Sequence, residues 1–405
     1  MTRRPLLAAL FAALAVTSAF LFVTSRPPAA AVDPNGSPSA GGSGGVAART
    51  PFPIPIPGHE VYGFVPYWEM DAGLADHLAG TDLTTLALFS VTHKKNGTLA
   101  AGERGFKRID SPIGRQLIAE AHDRGVRVEL VYTSFGRAKN DLFFDSIEVQ
   151  DRTIAELVAL AGELGVDGIN VDVELLASEH VLAYGGFVGR LRTALQAADG
   201  QAQVSVATQA NLRGTAMALA ATNAGADRIF LMGYDYHWSG SQPGASAPLD
   251  RRDGSEKDLA WSLDLYRDAG VPAERTLLGL PLYGMSWPVS SPELGAARNG
   301  RGSVWIPSDN AAVLADPTVV PILDLLEGVE HLALPDGDGW QAIYFDSPAS
   351  LTPKLLLADD RGLAGAGFWA IGYERGLADY TRLIATFRAG ELISAEAGSP
   401  GSLGP

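Results

Sequence analysis

The sequence predicts an α/β protein built as a (β/α)8 TIM barrel with a small α+β insertion between its seventh and eighth strands. Eight short apolar runs alternate with amphipathic, helix-like stretches along the chain. Each run is hydrophobic almost throughout, which is typical of parallel strands buried on both faces. The 405 residues are enough for one such barrel with an insertion.

The strands and helices of this barrel can be placed in order. The predicted strands are Val61–Trp68, Leu83–Val91, Val126–Thr133, Gly168–Glu174, Gln203–Thr208, Arg228–Tyr236, Thr276–Tyr283 and Gly365–Ile371. The predicted helices include Ile113–Arg124, Asp151–Leu164, Val181–Ala197, Lys257–Ala269 and Ser350–Asp360. The predicted insertion, residues 286–346, contains two segments with the pattern of short antiparallel strands, Val304–Ile306 and Trp340–Tyr344.

The two ends of the chain differ in composition from its centre. A basic start, the uncharged apolar run Pro5–Val23 and the small residues Ala29–Ala31 predict a secretory signal over residues 1–31. The run is also long enough to cross a bilayer, so an uncleaved membrane anchor is the alternative. Residues 32–58, rich in Pro, Gly and Ser, predict a flexible linker, and residues 389–405 a disordered tail. The folded barrel is therefore expected over residues 59–388, outside the cytoplasm.

Composition excludes several classes of chemistry. The chain has no Cys, which excludes disulfides, thiolate metal sites and a Cys nucleophile. A formal net charge of -15 argues against a nucleic-acid partner, since phosphate binding needs a basic surface. The seven His are scattered, and only His237 lies near candidate chemistry. We therefore expect a monomer without metal or cofactor.

The stretch from Asp167 to Glu174 carries the strongest chemical signal. Side chains alternate along a strand, so Asn170, Asp172 and Glu174 share one face. In a barrel interior, three polar groups are costly unless they are hydrogen-bonded. Glu174, the last of them, should reach the C-terminal mouth, where barrel active sites lie. A neighbouring acid and apolar walls would raise its pKa, as a general acid requires near neutral pH.

These residues resemble the family 18 glycoside hydrolases, whose fourth barrel strand carries Asp-Gly-x-Asp-x-Asp-x-Glu. Asp167, Gly168, Asp172 and Glu174 match that signature, and Asn170 stands in place of the middle Asp. Further segments resemble the family's first, sixth, seventh and eighth strands and the end of its insertion: Tyr62–Trp68, Met232–Asp235, Leu278–Gly284, Gly367–Ala370 and Tyr344–Ser347. The resemblance extends from Val61 to about Arg388.

The resemblance implies hydrolysis of β-linked N-acetylglucosamine polymers with retention, the acetamide of the substrate itself acting as nucleophile. Glu174 would protonate the leaving oxygen and later activate water. Asp172 would accept the acetamide N–H and stabilise the oxazolinium ion, and Tyr234 would hydrogen-bond the acetamide carbonyl. Asp235 would bind the distorted sugar, and Trp369 would form the floor beneath it.

Five further residues are predicted to bind substrate, with less support from the pattern. Asp167 and Asn170 belong to the motif itself. Tyr67 and Trp68 end the first strand at the mouth, where sugar stacking and core packing are comparable alternatives. Ser134 partly resembles the family's Ser-x-Gly-Gly and would support the carboxylate row, although an ordinary turn serine is as good an interpretation.

Aromatic residues outside the strands are weaker candidates. Trp238 and Trp287 could line sugar subsites. Packing inside the insertion is favoured for Trp305 and Trp340, because large aromatic side chains are usually buried.

Asn170 affects two expectations: the pKa of Asp172 and the identity of the substrate. An amide carries no charge, so Asp172 should ionise more readily than beside a second acid, and activity should survive with an altered acidic side of the pH profile. Members resembling cell-wall and spore-cortex N-acetylglucosaminidases carry Asn here, which favours peptidoglycan. The acidic net charge counts slightly against an anionic wall, and chitin stays open, as does endo or exo action.

Two other functions compete with this hypothesis. One is a non-catalytic sugar-binding barrel, although Glu174 is present. The other is a two-carboxylate glycosidase with Asp235 or Asp346 as nucleophile.

Overall fold

A computed structural model describes residues 58–392, and their strands close into the predicted parallel barrel. In chain order the strands are β1 (Glu60–Pro66), β2 (Thr85–Thr92), β3 (Arg127–Phe135), β4 (Gly168–Glu174), β5 (Gln203–Gln209), β6 (Arg228–Met232), β7 (Thr276–Pro281), β8 (Gly284–Val289), β9 (Ser303–Trp305), β10 (Ile322–Asp324), β11 (Val329–Asp336), β12 (Gly339–Phe345) and β13 (Gly365–Trp369). The barrel has the order β1-β13-β7-β6-β5-β4-β3-β2. The fold class is confirmed. The predicted signal, nearly all of the linker and most of the tail lie outside the described residues.

Helices pack around these strands. In chain order they are α1 (Ala72–Ala79), α2 (Arg104–Ile109), α3 (Pro112–Asp123), α4 (Arg137–Phe144), α5 (Ile147–Leu164), α6 (Val181–Ala198), α7 (Leu212–Asn223), α8 (Leu259–Ala269), α9 (Ala311–Leu314), α10 (Pro348–Asp360) and α11 (Ala378–Ala389). The five predicted helices correspond to α3, α5, α6, α8 and α10. Within residues 58–392, no helix has both the length and the apolar character needed to cross a bilayer.

Helix α5 directly precedes β4, the strand that carries the motif. It begins earlier than predicted because the Ser146 hydroxyl caps it by accepting from the Val149 N–H. It ends at Gly165, whose φ of 73° lies in the left-handed region that favours glycine. Gly168 then opens β4 tightly against β5, since a Cβ there would lie 2.5 Å from the Gln203 carbonyl oxygen. The motif glycine therefore serves the packing of the strand.

Four predicted strands extend too far at their C-terminal ends, and for two of them the difference decides where site residues lie. β1 ends at Pro66 and β6 at Met232, because sheet pairing stops there and the chain turns into the loops at the mouth. Tyr67 and Trp68 follow β1, and Tyr234 and Asp235 follow β6. These four side chains are thus carried by loops rather than by the sheet.

The insertion is a five-stranded antiparallel sheet between β7 and β13, with the order β10-β11-β12-β8-β9. It begins at Gly284, slightly before the predicted segment. Trp305 packs on Phe345 in its small core, with 4.8 Å between ring centroids, and Trp340 is half-buried. Trp287 is fully buried, so it does not line a sugar subsite as predicted.

Candidate active site

The polar row of β4 runs from the barrel interior to its mouth. Asn170 is paired with Ser205 and Asp172 with Ala207 of the neighbouring β5. Exposure increases along the row, from 0% at Asn170 to 5% at Asp172, and Glu174 is half-buried at the C-terminal end of the strand. The two acids are close enough for the charge of Glu174 to raise the pKa of Asp172.

Glu174 is held in the state that a general acid needs. Burial, followed by the negative charge of Asp235, raises its pKa to about 7, and a hydrogen bond with the Gln209 side chain partly opposes this shift. Its backbone carbonyl accepts from the Asn140 side-chain amide at 2.6 Å. The carboxyl can therefore carry a proton near neutral pH at a fixed position.

Asp172 also favours its protonated form. Burial, with the Glu174 charge as the second cause, raises its pKa well above the ordinary range. As the sequence suggested, Asn170 adds no negative charge next to Asp172. The pKa of Asp172 is raised nevertheless, because its burial has the larger effect. Among the described residues, Asp172 Oδ1 is buried without a hydrogen-bond partner.

Tyr234 and Asp235 lie in the loop after β6, which only β5 separates from β4 in the barrel. Burial and the charges of Asp172, Asp235 and Glu174 raise the pKa of Tyr234, so its hydroxyl stays a donor. Asp235 has a φ of 62° and is reached by solvent, yet the surrounding protein raises its pKa. The Tyr283 hydroxyl donates to its Oδ1, which fixes the carboxyl in the cleft.

An aromatic cluster from β2, β3, β13 and the loop after β1 lines the rest of the mouth. The Trp369 ring lies 4.8 Å from Phe89 and 6.4 Å from Trp68, measured between centroids, and Trp68 contacts Tyr67 at 4.9 Å. Phe89 in turn stacks on Phe135 at 6.3 Å, and Phe135 is paired with Glu174 in the sheet. The predicted sugar floor is thus joined to the carboxylate row through packed rings.

Asp167 is not part of this cleft, so its predicted contact with substrate is wrong. It lies before the first residue of β4, at the opposite end of the barrel from Glu174. Its Oδ2 accepts from the Val128 backbone N–H at 2.7 Å and lies 2.9 Å from His122 Nε2. The motif begins with an acid that ties β4 to β3 at the bottom of the barrel.

Ser134 and Asn170 are likewise too buried to touch a sugar, and their assignment to substrate binding is wrong. Ser134 faces the helix layer, where its hydroxyl donates to Asn140 Oδ1 at 2.6 Å. Since Asn140 donates to the Glu174 carbonyl, Ser134 supports the carboxylate row indirectly. Asn170 donates through Nδ2 to Ser205 Oγ at 2.7 Å and underlies Asp172.

Two other candidates have structural roles. Asp346 is 2% exposed and forms a buried ion pair with Lys354, so it cannot attack a sugar. His237 is buried, its Nδ1 lies 2.8 Å from the Gln242 carbonyl oxygen, and burial lowers its pKa. Trp238 is half-buried in the same loop and does not pack into the barrel core.

Sequence reasoning missed a polar network beneath the row. Glu129 on β3 is 1% exposed, and its Oε2 accepts from the Tyr62 hydroxyl at 2.7 Å and the Ser205 hydroxyl at 2.5 Å. The available signal was a single acid within the apolar run Val126–Thr133. Tyr283 and Gln209, which contact Asp235 and Glu174, were also missed as site residues.

A TIM barrel with a protonatable acid at its C-terminal mouth and an aromatic wall beside it has the architecture of the barrel glycoside hydrolases. The chain belongs to the glycosyl hydrolases family 18, whose family model matches residues 63–374.

The relatives include cortical fragment-lytic enzymes and chitinases. The cortical fragment-lytic enzymes of Bacillus anthracis and Bacillus cereus are each 26% identical over 302 residues, which cover 72% of this chain and 65% of the relative. The chain thus spans about two thirds of the length of these curated relatives. The Bacillus cereus spore cortex-lytic enzyme SleL has a similar fold, with a TM-score of 0.66 and 21% identity over 81% of this chain and 74% of that one. The Ostrinia furnacalis Group IV chitinase in complex with allosamidin gives a TM-score of 0.71 at 19% identity, covering 83% of this chain and 100% of that one.

Proposed function

We propose that this protein is a retaining β-N-acetylglucosaminidase that cleaves polymers containing β-linked N-acetylglucosamine by substrate-assisted catalysis. The observation that carries this proposal is the pairing of Glu174, whose pKa is raised to about 7, with the buried Asp172 two residues before it. Glu174 donates its proton to the leaving glycosidic oxygen and afterwards takes a proton from water.

The acetamide group of the substrate supplies the nucleophile. Its oxygen attacks the anomeric carbon, while Tyr234 donates a hydrogen bond to that oxygen and Asp172 accepts from the acetamide N–H. The oxazolinium ion that forms is positively charged, and the acids at the mouth stabilise it. Water then opens the ring and restores the β-configuration.

Among the described residues, neither Asp346 nor Asp235, the two candidate nucleophiles, is well placed to replace the acetamide. Asp346 is buried against Lys354, and Asp235 accepts a hydrogen bond from the Tyr283 hydroxyl. A thiazoline mimic of the oxazolinium ion should therefore inhibit the enzyme. Cleavage of glycans without N-acetyl groups would instead support a two-carboxylate mechanism.

We propose peptidoglycan as the preferred substrate and chitin as the alternative. Asn170 in the motif and the names of the Bacillus relatives, which are cortical fragment-lytic enzymes, support peptidoglycan. Mass analysis of products from purified peptidoglycan and chitin oligomers, run side by side, tests the choice. Reducing-end N-acetylglucosamine released from peptidoglycan alone would support it, and release from chitin alone would reverse it. Sugar binding without any product would identify a carbohydrate-binding barrel.

We further propose that the barrel works outside the cytoplasm. The support is the signal-like composition of residues 1–31, which lie outside the described residues. N-terminal sequencing of the protein from culture medium and from membranes would distinguish cleavage after Ala31 from retention as an anchor.

A further inference from the structure

Glu129 is a buried acid that the proposed mechanism does not use. It lies in the barrel interior below the catalytic row, and its Oε2 accepts two hydrogen bonds, from the Tyr62 and Ser205 hydroxyls. Burial raises its pKa, whereas these two hydrogen bonds and the charge of Arg127 favour its ionised form.

The direction of these hydrogen bonds fixes the Asn170 amide. Ser205 has one hydroxyl proton, which it gives to Glu129 Oε2, so its oxygen must act as an acceptor toward Asn170. Asn170 accordingly presents Nδ2 to Ser205 at 2.7 Å. Its carbonyl Oδ1 is then turned away from Ser205 and, among the described residues, is buried without a donor.

Asp172 is the next residue on the same face of β4, and no donor within residues 58–392 reaches its Oδ1 either. Two buried acceptors without donors are unfavourable. A proton on Asp172 would make it the donor to the Asn170 carbonyl and satisfy both groups.

We propose that Glu129 is a positioning residue for catalysis: through Ser205 it orients the Asn170 amide so that its carbonyl oxygen faces Asp172 and holds Asp172 protonated before substrate binds. The inference rests on the proposed function of Asp172. A protonated Asp172 keeps its other oxygen available to accept the acetamide N–H. The site thus needs no second acid at the Asn170 position.

Other titratable groups also face these residues. Asp172 interacts with Glu174 on β4, with Tyr234 after β6 and with Tyr184 on α6. Glu129 interacts with Tyr62, Arg127 and Asp227. The Tyr184 hydroxyl is buried without a hydrogen-bond partner among the described residues. The test must therefore separate the amide of Asn170 from these charges.

The test is the titration of Asp172 by 13C NMR in protein labelled at the aspartate carboxyl carbon, with the resonance assigned by its loss in Asp172→Asn. Ser205→Ala removes the acceptor that holds Asn170 Nδ2 and leaves the Tyr62 hydroxyl as the other neighbour of the amide. Nδ2 can then turn toward Asp172, so the Asp172 midpoint should fall by about one pH unit. Glu129→Gln should shift it in the same direction, and serves if Ser205→Ala does not fold.

Two controls make the result specific. Thr208→Val removes another buried hydroxyl of β5, which forms a hydrogen bond with the Tyr266 hydroxyl. This variant should leave the Asp172 midpoint unchanged. In an Asn170→Ala background, Ser205→Ala should produce no further shift, because no amide remains to orient. An unchanged midpoint in both Ser205→Ala and Glu129→Gln, or an equal shift without Asn170, would overturn the inference. Because the titration needs no turnover, a wild type that fails to hydrolyse any glycan would count against the proposed function separately.

Discussion

The Asn140 side chain on α4 donates a 2.6 Å hydrogen bond to the backbone carbonyl of Glu174, so the helix after β3 holds the end of the catalytic strand. The amide has a fixed orientation because its Oδ1 accepts from the Ser134 hydroxyl. The same carbonyl also accepts a longer hydrogen bond from the Gly136 backbone N–H, at 3.3 Å, so the Asn140 amide supplies the shorter of its two contacts.

Asn140→Ala should lower kcat by about tenfold, because a small displacement of the proton donor is enough to slow general acid catalysis. KM should change little. The matched control is Gln150→Ala, which removes a buried amide that bonds the Phe143 and Phe144 carbonyls instead. Both variants should lose stability, and steady-state kinetics should show the kcat effect in Asn140→Ala alone. Equal kinetic losses in the two variants would refute the positioning role.

The pH dependence of activity should report the proton on Glu174. Since the acid must be protonated and its pKa is about 7, kcat/KM should fall as the pH rises past that value. Asp235→Asn removes a negative charge near Glu174 while keeping an acceptor for Tyr283, so the basic limb should move to lower pH. Asp338→Asn, in an exposed turn of the insertion, should leave the profile unchanged. A basic limb that stays in place would show that Asp235 does not act on Glu174.

Asn170→Asp should leave an active enzyme with a displaced acidic limb. Two buried carboxyls in adjacent positions cannot both ionise easily, so their second proton should leave at higher pH and the limb should follow. The pH–rate profile measures this effect, with Asn96→Asp in an exposed turn as control. An unchanged profile would mean that this residue does not tune the site.

Lys354→Met should destabilise the fold by about 3–5 kcal/mol, because it leaves the buried Asp346 carboxyl without its charged partner and with only the Ser350 hydroxyl as a side-chain donor. Urea unfolding measures the loss, and the folded fraction should keep its wild-type kcat. Breaking the exposed pair of Arg382 and Asp379 with Arg382→Ala should have no measurable effect. Loss of kcat from fully folded protein would reopen a catalytic role for Asp346.

The sequence alone was enough to predict the barrel and to predict which face of β4 carries the acids. Both follow from local periodicity, since alternation along one strand determines which side chains share a face. Asp167 was assigned to the substrate site because it belongs to the same motif as Glu174. The seven residues of β4 separate the two side chains, however, and place them at opposite ends of the barrel. Whether a residue can contact substrate depends on which end of the strand it occupies.

The network of Glu129, Tyr62 and Ser205 could not be inferred in the same way. These residues belong to β3, β1 and β5, and their contacts exist only because the sheet closes with one particular register. Ser134 shows the same limit: the sequence placed it beside the carboxylates, but its side chain points to the helix layer and acts through Asn140.

The most direct test of the account is Glu174→Gln, assayed for hydrolysis and for binding of an N-acetylglucosamine oligomer by calorimetry. The amide keeps the size of the side chain and cannot donate an acidic proton. Turnover should fall by about 10²–10⁴-fold while the oligomer still binds. Hydrolysis at the wild-type rate by this variant would contradict the assignment of Glu174 as the proton donor, and with it the proposed mechanism.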